Sequence, residues 1–254
     1  MIFATYPSLA GRAVFVSGGA TGIGADIVRA FARSHAKVAF VDLQADAGEA
    51  MSAEIAGMGE AALFFRCDVT DIEALRQTIA GAGATLGPIA VLVNNAANDE
   101  RHKVSEVSPD YWDHTQNVNL RHHFFAAQAV HPQMRALGFG SIVNLSSIAW
   151  RAGAGEMPAY STAKAGVIGL TRALARAFGD DNIRVNAIEP GAVMTERQRR
   201  LWYKTPEAAE AIIQRQFIKT TLIGEDIARM ALFLGADDSR MITKQSITVD
   251  AGLR

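Results

Sequence analysis

The run Ala13-Val-Phe-Val-Ser17 is short and β-rich, and it feeds directly into Gly18-Gly-Ala-Thr-Gly-Ile-Gly24. An apolar-periodic helix begins there and runs to about Ser34. No other feature restricts the fold as tightly. A strand that ends in a glycine-rich turn and opens a helix forms a phosphate cradle. Glycines let the backbone approach a diphosphate, and the unbonded N–H groups and dipole of the helix start favour its charge. Gly18, Thr21, Gly22, Ile23 and Gly24 are the expected contacts. A plain tight turn is the competing reading of the glycines alone.

The next segment argues for the cradle. Lys37-Val-Ala-Phe-Val41 reads as a second strand with Asp42 at its end, 18 residues beyond Gly24. An acidic side chain at that place hydrogen-bonds the adenosine ribose hydroxyls of NAD. Neither the glycine turn nor Leu43-Gln44 carries an Arg or Lys, so a 2'-phosphate would meet a carboxylate without a counter-charge. NAD is therefore expected over NADP.

Further strands follow at 62–66, 88–93, 142–145, 183–188 and 246–250, separated by helical patterns without a linker, composition break or repeat. Strict alternation of this kind predicts a single-domain, Rossmann-like α/β fold: a doubly wound parallel sheet of about seven strands with helices on both faces. The cofactor half spans about 1–140 and the catalytic and substrate half about 141–254. After the third strand, Asp68 is read either as a capping residue or as an adenine contact, and Thr70 or Asp71 is available to cap the next helix. The fourth strand closes with Asn94-Asn-Ala-Ala97, small enough for Asn95 and Ala96 to lie flat against a nucleotide. The polar loop Asn98 to Lys103 beyond it is a substrate lip or a solvated charge run. Ser108 and Pro109 start a long helix that continues toward Arg135. Asn119 in its middle is disfavoured by propensity, which implies a local backbone break or a buried polar role.

The chemistry is expected between Asn144 and Lys164. Tyr160 and Lys164 lie four apart in a helix-prone run, so both leave one helix face. An ammonium beside a phenol draws its pKa down from about 10, toward a usable general base. Ser147, thirteen residues before Tyr160, follows an apolar run and offers a hydroxyl to a reacting oxygen. The segment from Val193 to Thr205 reads as a lid over the site or as solvated arginines.

Composition closes off other classes. A net charge of -1 gives no bulk attraction for nucleic acid or anionic lipid. The longest apolar runs are strand-sized, so no membrane span is expected. The first residues carry no secretion signal and Cys67 is alone, which points to a cytoplasmic location. The 6 histidines show no metal-ligand spacing, so no metal is expected, and His122 and His123 are placed on a helix surface or a subunit contact.

From about Gly11 to Gly252 the chain resembles the short-chain dehydrogenase/reductase family. The matching pieces are Ser17 to Gly24, Asn94-Asn-Ala-Ala97, Asn119, Ser147, Tyr160 with Lys164, Pro190-Gly191 with Thr195, and Asp250-Ala-Gly252. Departures are Ser17 for Thr, Ala97 for Gly and Ala251 for Gly. The resemblance implies a catalytic set of Asn119, Ser147, Tyr160 and Lys164. Lys164 would also hold the nicotinamide ribose, and Val69, Pro190, Gly191, Val193 and Thr195 would join the cofactor contacts. Within the family, the loop Asn98 to Lys103 and the segment Arg197 to Tyr203 look most like bacterial NAD-dependent sugar 1-dehydrogenases of the D-xylose, D-galactose or L-arabinose type. The implied substrate residues are Asn98, Arg101, Ser147, Glu156 and Tyr160, with Trp150 or Trp202 as a stacking face. A polyol or secondary-alcohol dehydrogenase of the same family stays open, as does a nucleotide-binding regulator. Family members form tetramers, and Phe124-Phe-Ala-Ala127 fits either such a contact or a core-facing stripe.

Overall fold

The structure is a computed structural model that describes residues 4–253. Within them, seven parallel strands form one sheet: β1 Ala13–Ser17, β2 Lys37–Asp42, β3 Ala62–Arg66, β4 Ile89–Asn94, β5 Gly140–Leu145, β6 Ile183–Pro190 and β7 Ser246–Val249. The order is β3-β2-β1-β4-β5-β6-β7, so the winding direction reverses between β1 and β4. The expected doubly wound parallel sheet is the observed one.

Two helical layers cover the sheet. On one face lie α1 (Gly22–Arg33), α2 (Ala45–Gly57) and α10 (Gly224–Gly235); on the other lie α3 (Ile72–Leu86), α5 (His122–Leu137) and α7 (Pro158–Ala177). Period-two alternation divides each strand between the layers. Val14, Val16, Val91, Val93 and Val143 pack toward α1 and α10, while Phe15, Ile89, Leu92 and Ile142 pack toward α3 and α5. Strands covered on both faces read as continuous apolar runs, which is why β1, β4 and β5 were visible in the sequence. Among the described residues the remaining α-helices are short: α4 (Pro109–Gln116), α6 (Ala149–Ala152), α8 (Glu196–Leu201) and α9 (Pro206–Arg215).

Local capping follows the expected chemistry. Ser108 accepts the Tyr111 N–H at 3.1 Å with Pro109 in the first helical turn. Asp71 rather than Thr70 caps α3, accepting the Ala74 N–H at 3.0 Å. Asp68 caps no helix; its carboxylate folds onto the Thr70 N–H and hydroxyl at 2.8 and 2.7 Å.

The long helix expected from Ser108 to Arg135 is interrupted. Between α4 and α5 the chain makes a π-helical turn at Asn117–Arg121. Its extra residue rotates the face that α5 presents, and His122 and His123 both turn inward. They are fully buried, against the expectation of a helix surface or subunit contact. The run after them divides: Ala126 and Ala127 enter the core, while Phe124 stays 41% exposed. Among the described residues no helix is long and apolar enough to cross a membrane.

Candidate active site

In an open parallel sheet, ligands bind beyond the carboxyl ends of the strands where the winding reverses. Here that place lies between the turns after β1 and β4, and the chain has drawn the two together. The Ser17 hydroxyl accepts the N–H groups of Asn95 and Ala96 at 3.0 and 3.1 Å, and Asn95 Nδ2 donates to the Gly18 carbonyl at 2.8 Å. Gly18 has φ +67°, and a Cβ there would stand 2.8 Å from the Ala96 Cα. At Gly24 a Cβ would stand 1.8 Å from the Gly18 carbonyl oxygen. Only glycines close this turn.

The result is a cradle that fits a diphosphate. Thr21 makes no side-chain cap on α1, so the first-turn N–H groups remain directed out of the helix start. Across the crevice the Thr195 side chain lies 3.5 Å from where a Cβ on Gly22 would be. Pro190 and Gly191 continue that wall, with the Gly191 N–H bonded to the Val249 carbonyl at 2.9 Å and Val193 buried beneath it. Asp42 accepts the Ala20 N–H and the Gln44 N–H, both at 3.1 Å, which fixes the carboxylate beside the turn and next to exposed Leu43. Asp68 and Val69 follow on the adjoining strand end.

The candidate catalytic group is assembled from β5, the turn after it and α7. Lys164 is 1% exposed, donates from Nζ to the Leu145 carbonyl at 2.8 Å, and lies 5.6 Å from the Tyr160 ring centroid. Ser147 hydrogen-bonds the Tyr160 phenolic oxygen, which favours the phenolate. Ser147, Tyr160 and Lys164 thus meet as predicted. The electrostatics differ from expectation. Burial, with the charge of Asp99 added, pushes the Tyr160 phenol up rather than down, and only the Ser147 bond opposes it. Burial also lowers the Lys164 ammonium to about 7, with Asp99 acting against that fall. Desolvation dominates at both groups, because neither has water to stabilise a charge.

Asn119 shows both features inferred from its poor helix propensity. It lies in the π turn and is fully buried. Its Nδ2 donates to the Thr115 carbonyl and its Oδ1 accepts the Asn98 N–H, each at 2.9 Å. The side chain therefore pins the polar loop after β4 to the helix that packs on α7.

Two histidines that the sequence left outside the site support it from behind. Burial lowers His122 to about 3 and His123 also falls well below the usual imidazole value, so both rings are neutral. The His122 Nε2 lies 3.0 Å from the Ala96 carbonyl, an acceptor only, so this nitrogen carries the proton. His123 joins Asn94, Asn144 and Thr171 in a buried polar chain.

Over the crevice the polar loop after β4 meets α8. Arg197 reaches Asn98 Oδ1 at 2.9 Å and Asp99 Oδ1 at 3.3 Å, while Gln198 Nε2 donates to Asp99 Oδ2. Arg101 lies over the Trp202 ring at 4.3 Å and pairs loosely with Glu156 at 3.9 Å. Arg101 Nε and Trp202 Nε1 are buried without a partner. The structure thus brings Asn98, Arg101, Glu156 and Trp202 into one lip. Trp150 is tied elsewhere: its Nε1 donates to buried Glu189 at 2.9 Å, and Arg151 lies 4.5 Å above its ring. Of the two stacking candidates, Trp202 is the one in the lip. Sequence reasoning passed over Asp99, Gln198 and Glu189; the polar run after β4 was the only signal for the first.

A glycine turn, a strand-end Asp and a buried Ser-Tyr-Lys group on one crevice define a nucleotide-dependent oxidoreductase. The chain belongs to the short-chain dehydrogenase/reductase family, whose enzymes use nicotinamide cofactors. A family model described as enoyl-(acyl carrier protein) reductase matches residues 18–254. The chain is 49% identical over 249 residues to the probable galactose dehydrogenase GalD of Rhizobium meliloti, covering 98% of this chain and 97% of that one. It is 44% identical over 254 residues to the D-xylose 1-dehydrogenase of Caulobacter vibrioides, covering all of both. Among solved structures, a putative short-chain alcohol dehydrogenase from Sinorhizobium meliloti superposes with a TM-score of 0.91 at 32% identity, covering 97% of each chain.

Proposed function

We propose that the protein is an NAD-dependent aldose 1-dehydrogenase that oxidises a pentose or hexose pyranose at C1 to its lactone. The observation that carries the reading is the Ser147-Tyr160-Lys164 group at the floor of a crevice whose lip is lined for hydroxyls, in a chain similar over its full length to two sugar dehydrogenases. Asp42 beside the glycine turn, with no nearby cation from 18 to 24, favours NAD over NADP.

In this reading Ser147 holds the anomeric oxygen and Tyr160, as phenolate, takes its proton. Loss of that proton lets the C1–O bond become a carbonyl as the C1 hydrogen departs with its electron pair. Nicotinamide, when bound, would supply the hydride acceptor. Lys164 would hold the nicotinamide ribose hydroxyls through the Nζ donors that the Leu145 carbonyl leaves free. Asn119 keeps the loop at Asn98 and orients a water that links Lys164 to solvent. Arg101, Glu156 and Trp202 face the sugar ring and its hydroxyls. The protein acts in the cytoplasm as a homotetramer, for which exposed Phe124 and Trp112 offer apolar contact surface; a monomeric mass by light scattering would reject that assembly.

The test is a panel of aldoses, polyols and secondary alcohols with NAD and with NADP, read by the absorbance of the reduced cofactor. Reduction of NAD by one or more aldoses, with lactone recovered, is the expected result. Turnover of polyols or secondary alcohols alone would overturn it.

A further inference from the structure

Asp99 occupies a place in the lip that the roles above leave unassigned. The loop carrying it is pinned at Asn98 by Asn119, from the helix packed on α7. From the other side, α8 delivers Arg197 to one carboxylate oxygen at 3.3 Å and Gln198 to the other. The Asp99 side chain is only 21% exposed. Two donors on α8 hold it at the lip, close enough to Tyr160 and Lys164 for its charge to act on both.

Its charge there works against the base. A carboxylate near Tyr160 raises the phenol, which must ionise for proton abstraction, while it favours the Lys164 ammonium. Besides favouring the Lys164 ammonium, a carboxylate in that position can serve through the bonds it accepts. It has about four lone-pair sites, and Arg197 and Gln198 claim one on each oxygen, which leaves capacity for substrate hydroxyls. Arg197, committed to Asn98 and Asp99, is no longer a free cation for an acidic substrate.

We propose that Asp99 is a specificity-determining residue that accepts a hydrogen bond from the substrate hydroxyl next to the reacting carbon, with Arg197 and Gln198 holding its carboxylate for that contact. The inference rests on the aldose reading and adds to it the hydroxyl that is read. Neutral vicinal hydroxyls satisfy the carboxylate, whereas a substrate carboxylate is repelled by it. A simple alcohol leaves it short of a donor.

The experiment compares wild type with Asp99→Asn on an aldose and on its 2-deoxy analogue, with KM and kcat separated, NAD affinity by fluorescence quenching, and thermal unfolding as a control. Losing a hydrogen bond to a charged group is expected to raise the KM for the aldose roughly tenfold or more. On the 2-deoxy sugar, variant and wild type should be nearly equal, because the partner hydroxyl is already gone. NAD affinity and the unfolding midpoint should stay at their wild-type values. Equal losses on both sugars, or no loss on either, overturn the role of Asp99. Should the variant not fold, the wild type alone decides: equal kcat/KM on aldose and 2-deoxy analogue removes the contact. A wild type inert toward every aldose sinks the aldose reading itself, whereas failure of Asp99 alone leaves wild-type aldose turnover and its dependence on the 2-hydroxyl visible apart.

Discussion

The cost of the buried amine can be worked out and measured. Lys164 is fully enclosed, with its ammonium lowered from 10.5 to about 7. The folded-state value is thus below the unfolded one. Between about pH 7 and 10.5 the unfolded chain holds a proton on this lysine that the folded chain does not. Stability therefore rises with pH across that window, and the penalty is fully present below it. At about 1.4 kcal/mol per pH unit the penalty is about 5 kcal/mol. Lys164→Met keeps the length and removes the charge. It also removes the bond to the Leu145 carbonyl, and an orphaned buried carbonyl costs about 1–3 kcal/mol. The net expectation at pH 6 is a variant more stable than wild type by about 2–4 kcal/mol, or several degrees in Tm for a chain of this size. By about pH 9.5 the wild-type penalty is largely relieved and the two should nearly coincide. Urea unfolding at fixed protein concentration, at pH 6 and 9.5, checks both points. A variant that is less stable at pH 6, or offset by the same amount at both pH values, would refute the burial argument.

Three further substitutions test the rest of the crevice. Gly24→Ala places a Cβ 1.8 Å from the Gly18 carbonyl oxygen, so the turn must open; a stability loss of about 1–3 kcal/mol and weakened NAD binding are expected, and wild-type values in both calorimetry and titration would contradict the cradle. Asp42→Ala should lower kcat/KM with NAD about tenfold or more and narrow its preference over NADP, read from the ratio of the two. The same change frees the Ala20 and Gln44 N–H groups, so the unfolding midpoint serves as its control. Tyr160→Phe should cut kcat by about 10²–10⁴-fold with NAD affinity intact, and near-normal turnover would remove Tyr160 as the base.

What could be read along the chain and what could not divide on a physical line. The glycine turn, Asp42, and the four-residue spacing of Tyr160 and Lys164 act through local geometry, so a short stretch of sequence contains the whole argument. The central strands β1 and β4 were legible because burial on both faces makes them largely apolar. The edge strands β3 and β7 are only partly buried, and strand ends shifted where backbone pairing extends past the apolar run, as at Pro190. Asn119 announced a break through its poor helix propensity, but the sequence held no sign that the break was a π turn, and so none that His122 and His123 would face inward. The rise of the Tyr160 phenol is hidden from the sequence for a related reason. Spacing shows that an amine is near a phenol, but burial decides which charge state the pair prefers, and burial comes from β5 and the loop above. Asp99 is the clearest instance. In sequence it is one acid in a polar loop, 98 residues from Arg197 and 99 from Gln198. It becomes part of the site because α8 brings those two donors to it. The nucleotide half of the crevice is announced by short strand-turn-helix motifs, although Ser17 and Gly18 also bond Asn95 and Ala96 after β4, whereas nothing local announces the lip, which is built between distant segments. Substitutions in the lip should accordingly act in pairs across the loop and α8, as those at Ser17 and Asn95 should across β1 and β4.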